Sequence, residues 1–374
     1  MRANISSNFC CNFLNITEKT NTSLDGKETF KSTANTLAVI IIATVGALSL
    51  ITVTGNFLIA LIYCSNKRIR SLSNITLFSL AITDMMIGFF PMNINILETA
   101  LGYWPFGETM CIISLIFDHV SVQTSTFFIV LINFDRYYSI KRPIIHRMNK
   151  NKLTILVKLF CGLIFAILLW TPYIYFNQFL VRKLNASQTC YKQFAHNNIM
   201  SKKYFSVAVS VFGFLLPMFL VFLVYIKMFL MIKDATFATI RANSEAFKTT
   251  AKTLRCYSMS SVSNPVEFDI KVKKKKISFL KKRKLVIKRK KFVQTTGLIV
   301  LMFVVTGLPL NVQRLFVSAC PICYHDLFFE ISKFMTYINS AINPFLYALG
   351  NLSFRKQMKK AILNFIRHAH WKFN

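Results

Sequence analysis

The sequence predicts an all-α membrane protein in which seven transmembrane helices form a bundle. Of the 374 residues, 54% are hydrophobic and only 16% are charged, a composition too apolar for an ordinary soluble domain. A helix that crosses a hydrocarbon core of about 30 Å needs about 20 residues. Seven apolar stretches satisfy this length, and none alternates as a barrel strand would; they lie near 37–63, 73–97, 108–134, 153–177, 203–230, 293–318 and 327–349.

The net charge of +32 predicts the orientation of these spans. Lys and Arg are concentrated after spans one and three and in residues 235–291, which hold seventeen of them against three acids. Basic loops stay in the cytoplasm, so seven spans place the N-terminus outside, as expected of a multi-pass plasma-membrane protein. The charge lies on no soluble domain, which argues against nucleic acid as a partner. Four sequons on the outer side predict glycosylation: Asn4, Asn15, Asn21 and Asn185.

The pattern divides the chain into three regions. Residues 1–36 are a polar, glycosylated extracellular segment, 37–350 form the bundle, and 351–374 are a cytoplasmic tail. A basic loop at about 232–290 is too charged to pack a core, so we expect disorder there that becomes helix near span six. The amphipathic stretch from Phe354 to Phe365 predicts a short helix, helix 8, that lies on the lipids of the inner leaflet.

Two charged residues of span three are candidates for function because of their depth. Asp118 lies two helical turns, about 10 Å, beyond Cys111, and Arg136 lies eighteen residues further on, about 27 Å deeper. A carboxylate at the depth of Asp118 is costly unless it faces a cavity or a partner. That partner is either a cationic ligand or a basic residue of another span.

Short motifs on successive spans resemble those of rhodopsin-like G-protein-coupled receptors. They are Gly55-Asn56, Leu80-Ala81-Ile82-Thr83-Asp84, Asp135-Arg136-Tyr137, Pro217 with Tyr225, Pro309, and Asn343-Pro344-Phe345-Leu346-Tyr347. Each motif alone is weak, but their joint order along the chain is specific. The resemblance implies a receptor rather than an enzyme, which passes a signal from an extracellular small ligand to a heterotrimeric G protein, with arrestin as a further cytoplasmic partner.

The residues around Asp118 are most similar to those of the aminergic branch, and especially of muscarinic acetylcholine receptors. Trp170-Thr171-Pro172, Asn311 and Tyr337 follow that pattern. The resemblance implies that Asp118 binds the ammonium group of an amine or related cation, with aromatic faces around it.

Three pocket residues depart from the muscarinic pattern, in which tyrosines occupy the positions of His119, Leu310 and Lys333. Lys333 lies one turn from Tyr337 and could neutralise Asp118, which predicts that acetylcholine is a poor agonist. The ligand is then either an amine, or a zwitterion, a peptide or an anion that contacts Lys333.

Other departures bear on signalling. Gly307 and Leu163 stand where the family has tryptophans, and Arg289 stands where it has an acid at the foot of span six. These changes keep open a divergent orphan receptor that is constitutively active or does not signal.

A second set of polar residues is expected to meet near the middle of the membrane. In the resemblance, the matching residues bind an allosteric sodium ion, and a hydrated network without an ion is the alternative. No other metal site is indicated. The set is Asn56, Asp84, Ser125, Asn339, Ser340 and Asn343.

The resemblance also assigns a coupling switch at the inner end. Asp135 is expected to hold Arg136 through a charge-assisted hydrogen bond in the resting state, and an outward movement of span six would expose Arg136. The remaining switch residues are Tyr137, Tyr225, Arg289 and Tyr347. On the outer side, the resemblance implies disulfides between Cys111 and Cys190 and between Cys320 and Cys323.

Overall fold

A computed structural model describes residues 24–67, 69–101, 103–183, 190, 200–257, 265–320, 325–350, 354–361 and 363. Within these ranges the chain forms helices joined by short turns and contains no β-strand, which confirms the predicted all-α fold. The sequons at Asn4, Asn15, Asn21 and Asn185 lie outside the described residues, as does Cys323.

Seven helical spans follow one another along the chain. Span one is Leu24–Ser65, span two combines Ile75–Phe89 with Pro91–Leu101, span three is Gly107–Lys141, and span four is Lys152–Lys183. Span five comprises Met200–Ser210, a π-helical turn at Val211–Leu215 and Leu216–Tyr257; span six is Pro265–Ala319, and span seven is Asp326–Gly350. Shorter helices occupy Leu72–Asn74, Pro143–Met148 and residues 354–361.

Six of the spans, judged on their described residues, are long and apolar enough to cross a bilayer by composition alone. Span seven is more polar because it carries Asp326, Glu330 and Lys333, but its 25 residues still extend over about 37 Å. It packs against spans one, two and six, and its Lys333 is buried.

Span three lies at the centre of the bundle, where it contacts spans two, four and five. Its buried side chains include both Asp118 and Arg136. The end of the bundle that contains Cys111 is called the disulfide end below, and the opposite end, which contains Arg136, is called the basic end.

The helices extend further than the apolar stretches. The first helix begins at Leu24, within the segment 1–36, and helices continue to Tyr257 and resume at Pro265 in the loop that was expected to be disordered except near span six. Lys and Arg have high helix propensity, and no Gly or Pro interrupts residues 266–296, so the basic runs can continue the membrane helices.

Spans two and five each contain an interruption of the regular α-helix, which changes the direction of the side chains that follow it. Span two is divided at Phe90, and Pro91 begins its second part, where a missing N–H is tolerated. Span five contains the π-helical turn, which precedes Pro217 and turns Gly213 and Phe214 into the bundle. Both irregularities lie beside the candidate site described below.

The short helix at 354–361 packs against the basic end. Phe354 is 1% exposed and joins the main apolar cluster of the bundle together with Tyr347. Arg355, Lys356 and Lys359 remain exposed. The described part of the predicted helix 8 is therefore amphipathic.

Candidate functional site

A disulfide closes the disulfide end. Cys111 of span three is bonded to Cys190, with 5.7 Å between their Cα atoms, as the sequence resemblance implied. The backbone N–H of Cys190 donates to Glu98 Oε1 at 2.9 Å, so Cys190 is also fixed to span two. Cys320 is in a disulfide as well, whereas its expected partner Cys323 lies outside the described residues.

Asp118 has one satisfied and one unsatisfied carboxylate oxygen. The side chain is buried, and the Tyr337 hydroxyl donates to Oδ2 at 2.9 Å. Oδ1 is fully buried and accepts no hydrogen bond. A buried carboxylate oxygen without a donor is costly, so this atom is suited to receive a cation or a hydrogen-bond donor from a ligand.

Lys333 does not form the direct salt bridge with Asp118 that the sequence left open. Its ammonium group pairs with Glu330 Oε2 at 2.8 Å and donates to Asn95 Oδ1 at 2.9 Å. The Asn95 amide donates in turn to the Tyr337 hydroxyl at 2.9 Å. A continuous hydrogen-bond chain thus links Lys333 to Asp118 through Asn95 and Tyr337.

Asn95 and Glu330 were not identified from the sequence. Glu330 precedes Lys333 by three residues, a spacing that brings the two side chains together on a helix and could have indicated the pair. Asn95 had no such signal, because its position depends on the division of span two at Pro91.

Trp170 forms an aromatic wall near Asp118. The His119 ring lies 4.3 Å from it between centroids, and the Arg314 guanidinium carbon lies 5.1 Å from its ring. The Trp170 indole N–H donates to Gln123 Oε1 at 3.3 Å, and the Gln123 amide donates to the Gly213 carbonyl at 3.1 Å. Arg314 and Gln123 were both missed by sequence reasoning.

Leu310 and Asn311 are buried on span six, but Asn311 is partly engaged by its own helix. Its amide donates to the Gly307 carbonyl at 2.9 Å. A Cβ at Gly307 would lie 2.3 Å from Phe214 Cε2, so Phe214 of span five occupies the space beside this glycine. Phe214 also packs on Phe303, with 5.3 Å between ring centroids.

The mid-membrane polar residues meet around Asp84. Ser125 donates to Oδ1 at 2.9 Å and Asn343 donates to Oδ2 at 2.7 Å. The Asn56 amide donates to the Ser340 carbonyl at 3.1 Å, which fixes span one to span seven.

This cluster has spare oxygen atoms. The side-chain carbonyl oxygens of Asn56, Asn339 and Asn343 are buried without hydrogen-bond partners. Carboxylate and amide oxygens are the donors that hard cations prefer, so the residues fit a small cation with water. No group of three or more His, Cys, Asp or Glu suited to another metal occurs among the described residues.

At the basic end, Arg136 is held by span six rather than by Asp135. Its guanidinium donates to Thr296 Oγ1 at 3.1 Å and lies over the Phe292 ring at 4.5 Å. Asp135 instead contacts Lys150 at 2.5 Å and His146 at 3.1 Å. The expected Asp135–Arg136 hydrogen bond is not formed between these two residues in this conformation, because His146 of the short helix Pro143–Met148 and Lys150, which follows that helix, are the partners of Asp135.

The other predicted switch residues surround this contact without binding Arg136 directly. Tyr225 lies against Gly297, where an added Cβ would be 2.7 Å from the hydroxyl. Tyr347 is buried and its hydroxyl has no hydrogen-bond partner. Tyr137 packs against an apolar cluster that includes Val293 of span six, and Arg289 is half-buried on the same helix.

The sequence was compared with those of known proteins, and it is similar to several receptors. The chain is 34% identical over 193 residues to the muscarinic acetylcholine receptor M4 of Gallus gallus and 31% identical over 207 residues to the M2 receptor of the same species. These alignments cover 51% and 55% of this chain, but only 38% and 43% of those receptors. The M1 receptor of Homo sapiens is 26% identical, over 86% of this chain and 88% of its own length.

The family described as the 7 transmembrane receptor (rhodopsin family) matches residues 55–347, a range that begins within span one and ends within span seven. That range contains Asp118, Arg136 and the cluster around Asp84. The chain therefore belongs to the rhodopsin family of seven-transmembrane receptors.

Proposed function

We propose that the protein is a plasma-membrane receptor that binds a small cationic ligand at Asp118 and activates a heterotrimeric G protein through Arg136. The observation that carries the proposal is the buried, unsatisfied Oδ1 of Asp118, on the same helix as Arg136. A ligand ammonium at this oxygen would supply the missing donor. The muscarinic acetylcholine receptors that the chain resembles support an amine-type ligand.

The pocket favours a ligand other than acetylcholine. His119, Leu310 and Lys333 bring one imidazole, one aliphatic side chain and one ammonium group to positions where the muscarinic pattern has tyrosines. An aromatic enclosure for a quaternary ammonium group is therefore reduced. We expect acetylcholine to be a weak agonist at best.

In this proposal the disulfide end faces the extracellular side and the basic end faces the cytoplasm, as the distribution of Lys and Arg indicates. Arg136 links span three to Thr296 of span six, so a displacement of span six would break this contact and expose the guanidinium to a partner. The exposed basic residues of the last helix suit anionic lipids of the inner leaflet. Arrestin is a further partner expected at the same end.

A cell assay with the complete chain tests the proposal. G-protein dissociation would be measured by resonance energy transfer while a panel of small amines is applied, with wild type, Asp118→Asn and Arg136→Ala at matched surface expression. We expect some amines to activate wild type, Asp118→Asn to weaken their potency at least tenfold, and Arg136→Ala to abolish coupling. Equal responses in wild type and Arg136→Ala would contradict coupling through this residue.

A constitutively active receptor is the second candidate, and one contact favours it. Asp135 is engaged by Lys150 and His146, so among the described contacts Arg136 is restrained through Thr296 and Phe292 of span six. The same assay without ligand separates the candidates, because constitutive activity predicts basal output above that of Arg136→Ala. Basal output equal to that control, with no response to any amine, would favour a receptor that does not signal.

We also propose that the cluster around Asp84 binds sodium. Asp84, Ser125, Asn339 and Asn343 would hold the ion, which would neutralise a carboxylate charge inside the bundle. Asn56 and Ser340 would support these groups by joining spans one and seven.

A further inference from the structure

The disulfide end contains a cation, Arg314, that forms no salt bridge with a carboxylate of the described residues. Arg314 of span six is half-buried and lies over Trp170, and no carboxylate among the described residues pairs with its guanidinium. Lys333 differs, because Glu330 provides its counter-charge at 2.8 Å. Arg314 is therefore a better candidate for binding an anionic group than Lys333, which the sequence had suggested.

Two charges of opposite sign thus lie close enough to interact electrostatically at the disulfide end without forming a salt bridge. One is Asp118, whose Oδ1 is buried without a donor, and the other is Arg314. His119, which follows Asp118 directly, and Arg314 both contact the ring of Trp170, so the two charges lie in the same region of the disulfide end. No ion pair joins them, although either would be stabilised by an opposite charge in this partly desolvated space.

The four charged side chains of this region have a net charge of zero without a ligand. Asp118 and Glu330 oppose Arg314 and Lys333, so a ligand with a single positive charge would satisfy Asp118 and leave Arg314 uncompensated. A ligand that carries both signs would satisfy both groups and leave the net charge unchanged. The guanidinium fork is well suited to a carboxylate, which it can bind through two parallel hydrogen bonds.

We propose that the ligand is a small zwitterion, whose ammonium group binds Asp118 and whose carboxylate binds Arg314 beside Trp170. This inference rests on the proposed function only in that the pocket at Asp118 is the ligand site. It does not require coupling to a G protein. It adds an anion subsite to the pocket and predicts that an amine which also carries a carboxylate binds more tightly than a simple amine.

A binding measurement on the purified complete chain tests the inference without a signalling readout. Thermal unfolding midpoints would be measured in detergent with amino acids, with their methyl esters and with the corresponding decarboxylated amines, over aromatic and aliphatic side chains and chain lengths. Within each set the compounds differ only at the carboxylate. Apparent affinities would come from the dependence of the midpoint on ligand concentration.

We expect at least one free amino acid to bind tenfold or more tightly than its ester and its amine. Arg314→Gln should remove that preference, since it deletes a charge-assisted contact with the carboxylate. Arg314→Lys, which keeps the charge but loses the fork, should restore part of it, and Asp118→Asn should weaken all ammonium compounds. The G-protein dissociation assay, repeated with Arg314→Gln, would show separately whether this residue affects activation of the G protein.

Three results would overturn the inference. The first is that esters and amines bind wild type as tightly as the free amino acids. The second is that Arg314→Gln strengthens amine binding while no amino acid binds wild type, which would mean that Arg314 serves as an internal counter-ion for Asp118. The third is that no zwitterion of the series shifts the midpoint. Binding of a zwitterion without any G-protein response would leave the inference intact and contradict only the proposed coupling.

Discussion

At the scale of single residues, Gly307 and Phe214 form a complementary pair. Gly307 stands where the rhodopsin-like pattern has a tryptophan, and Phe214 reaches this position from the π-helical turn of span five. A large aromatic side chain therefore still fills the space below the pocket, but it is attached to a different span. Its movement would couple spans five and six, since Phe214 also packs on Phe303.

Because Phe214 fills the space beside Gly307, adding a single methyl group at residue 307 should destabilise the protein. Gly307→Ala should lower the free energy of unfolding by about 1–3 kcal/mol, because the new Cβ would lie 2.3 Å from Phe214 in an occupied space. Gly46→Ala is the control, since nothing lies within 4 Å of its Cβ position, and it should be neutral or stabilise by about 0.5–1 kcal/mol. Thermal unfolding of the purified variants measures both.

The role of Phe214 is tested by combining the substitutions. In a Phe214→Leu background, Gly307→Ala should cost much less than in wild type, since the atom that it meets has been removed. Equal costs in the two backgrounds would show that Phe214 does not occupy this space.

At the scale of helices, the decisive contact joins spans three and six. Arg136 donates to Thr296 and lies over Phe292, and the next residue of span six, Gly297, allows Tyr225 of span five to approach closely. Spans three, five and six therefore meet within one turn of span six. A change in that turn should alter the balance between resting and active arrangements.

Thr296→Val should raise basal signalling. The substitution keeps the shape of the side chain but removes the acceptor for Arg136, a loss of about 1.5–3 kcal/mol for a hydrogen bond to a charged group. An equilibrium between two states would then shift about tenfold or more toward the open one. Thr295→Val is the matched control, because Thr295 is equally buried and its hydroxyl donates only to the Lys291 carbonyl. Equal basal output in the two variants would contradict the role of Thr296.

The sequence predicted the spans well because each one is a local property of the chain. Hydropathy located all seven helices, and Asp118 and Arg136, which were singled out by their depth along span three, are both buried. The ends of the helices were less predictable. Basic segments continue spans five and six as helix, which follows from the propensity of Lys and Arg rather than from hydrophobicity.

The partners of the charged residues could not be predicted from spacing, because they come from other spans. The neighbours of Asp135 depend on the turn that precedes Lys150, and the chain from Lys333 to Asp118 depends on Asn95 at the division of span two. Arg314 belongs to none of the sequence motifs that predicted the other site residues. A search for charges at helical spacing from Leu310 would have placed it on the pocket side of span six.

At the scale of the whole molecule, the cluster around Asp84 lies between the pocket and the basic end. It joins spans one, two, three and seven through contacts of Asn56, Asp84, Ser125 and Asn343. An ion bound there would hold four spans together. Its effect should therefore appear in the stability of the bundle as a whole and not only in signalling.

Sodium should raise the unfolding midpoint of the purified chain relative to N-methylglucamine at equal ionic strength. Binding to the folded state alone contributes about 1 kcal/mol at five times the dissociation constant of the ion, and more at higher concentration. Asp84→Asn should abolish this difference, whatever its own effect on the midpoint, because it removes the charge that attracts the ion. Asp135→Asn is the control for a carboxylate at the basic end and should preserve the sodium effect. N-methylglucamine is too large to enter the cluster, so only sodium could bind there. Identical midpoints of wild type in the two salts would therefore contradict sodium binding at Asp84.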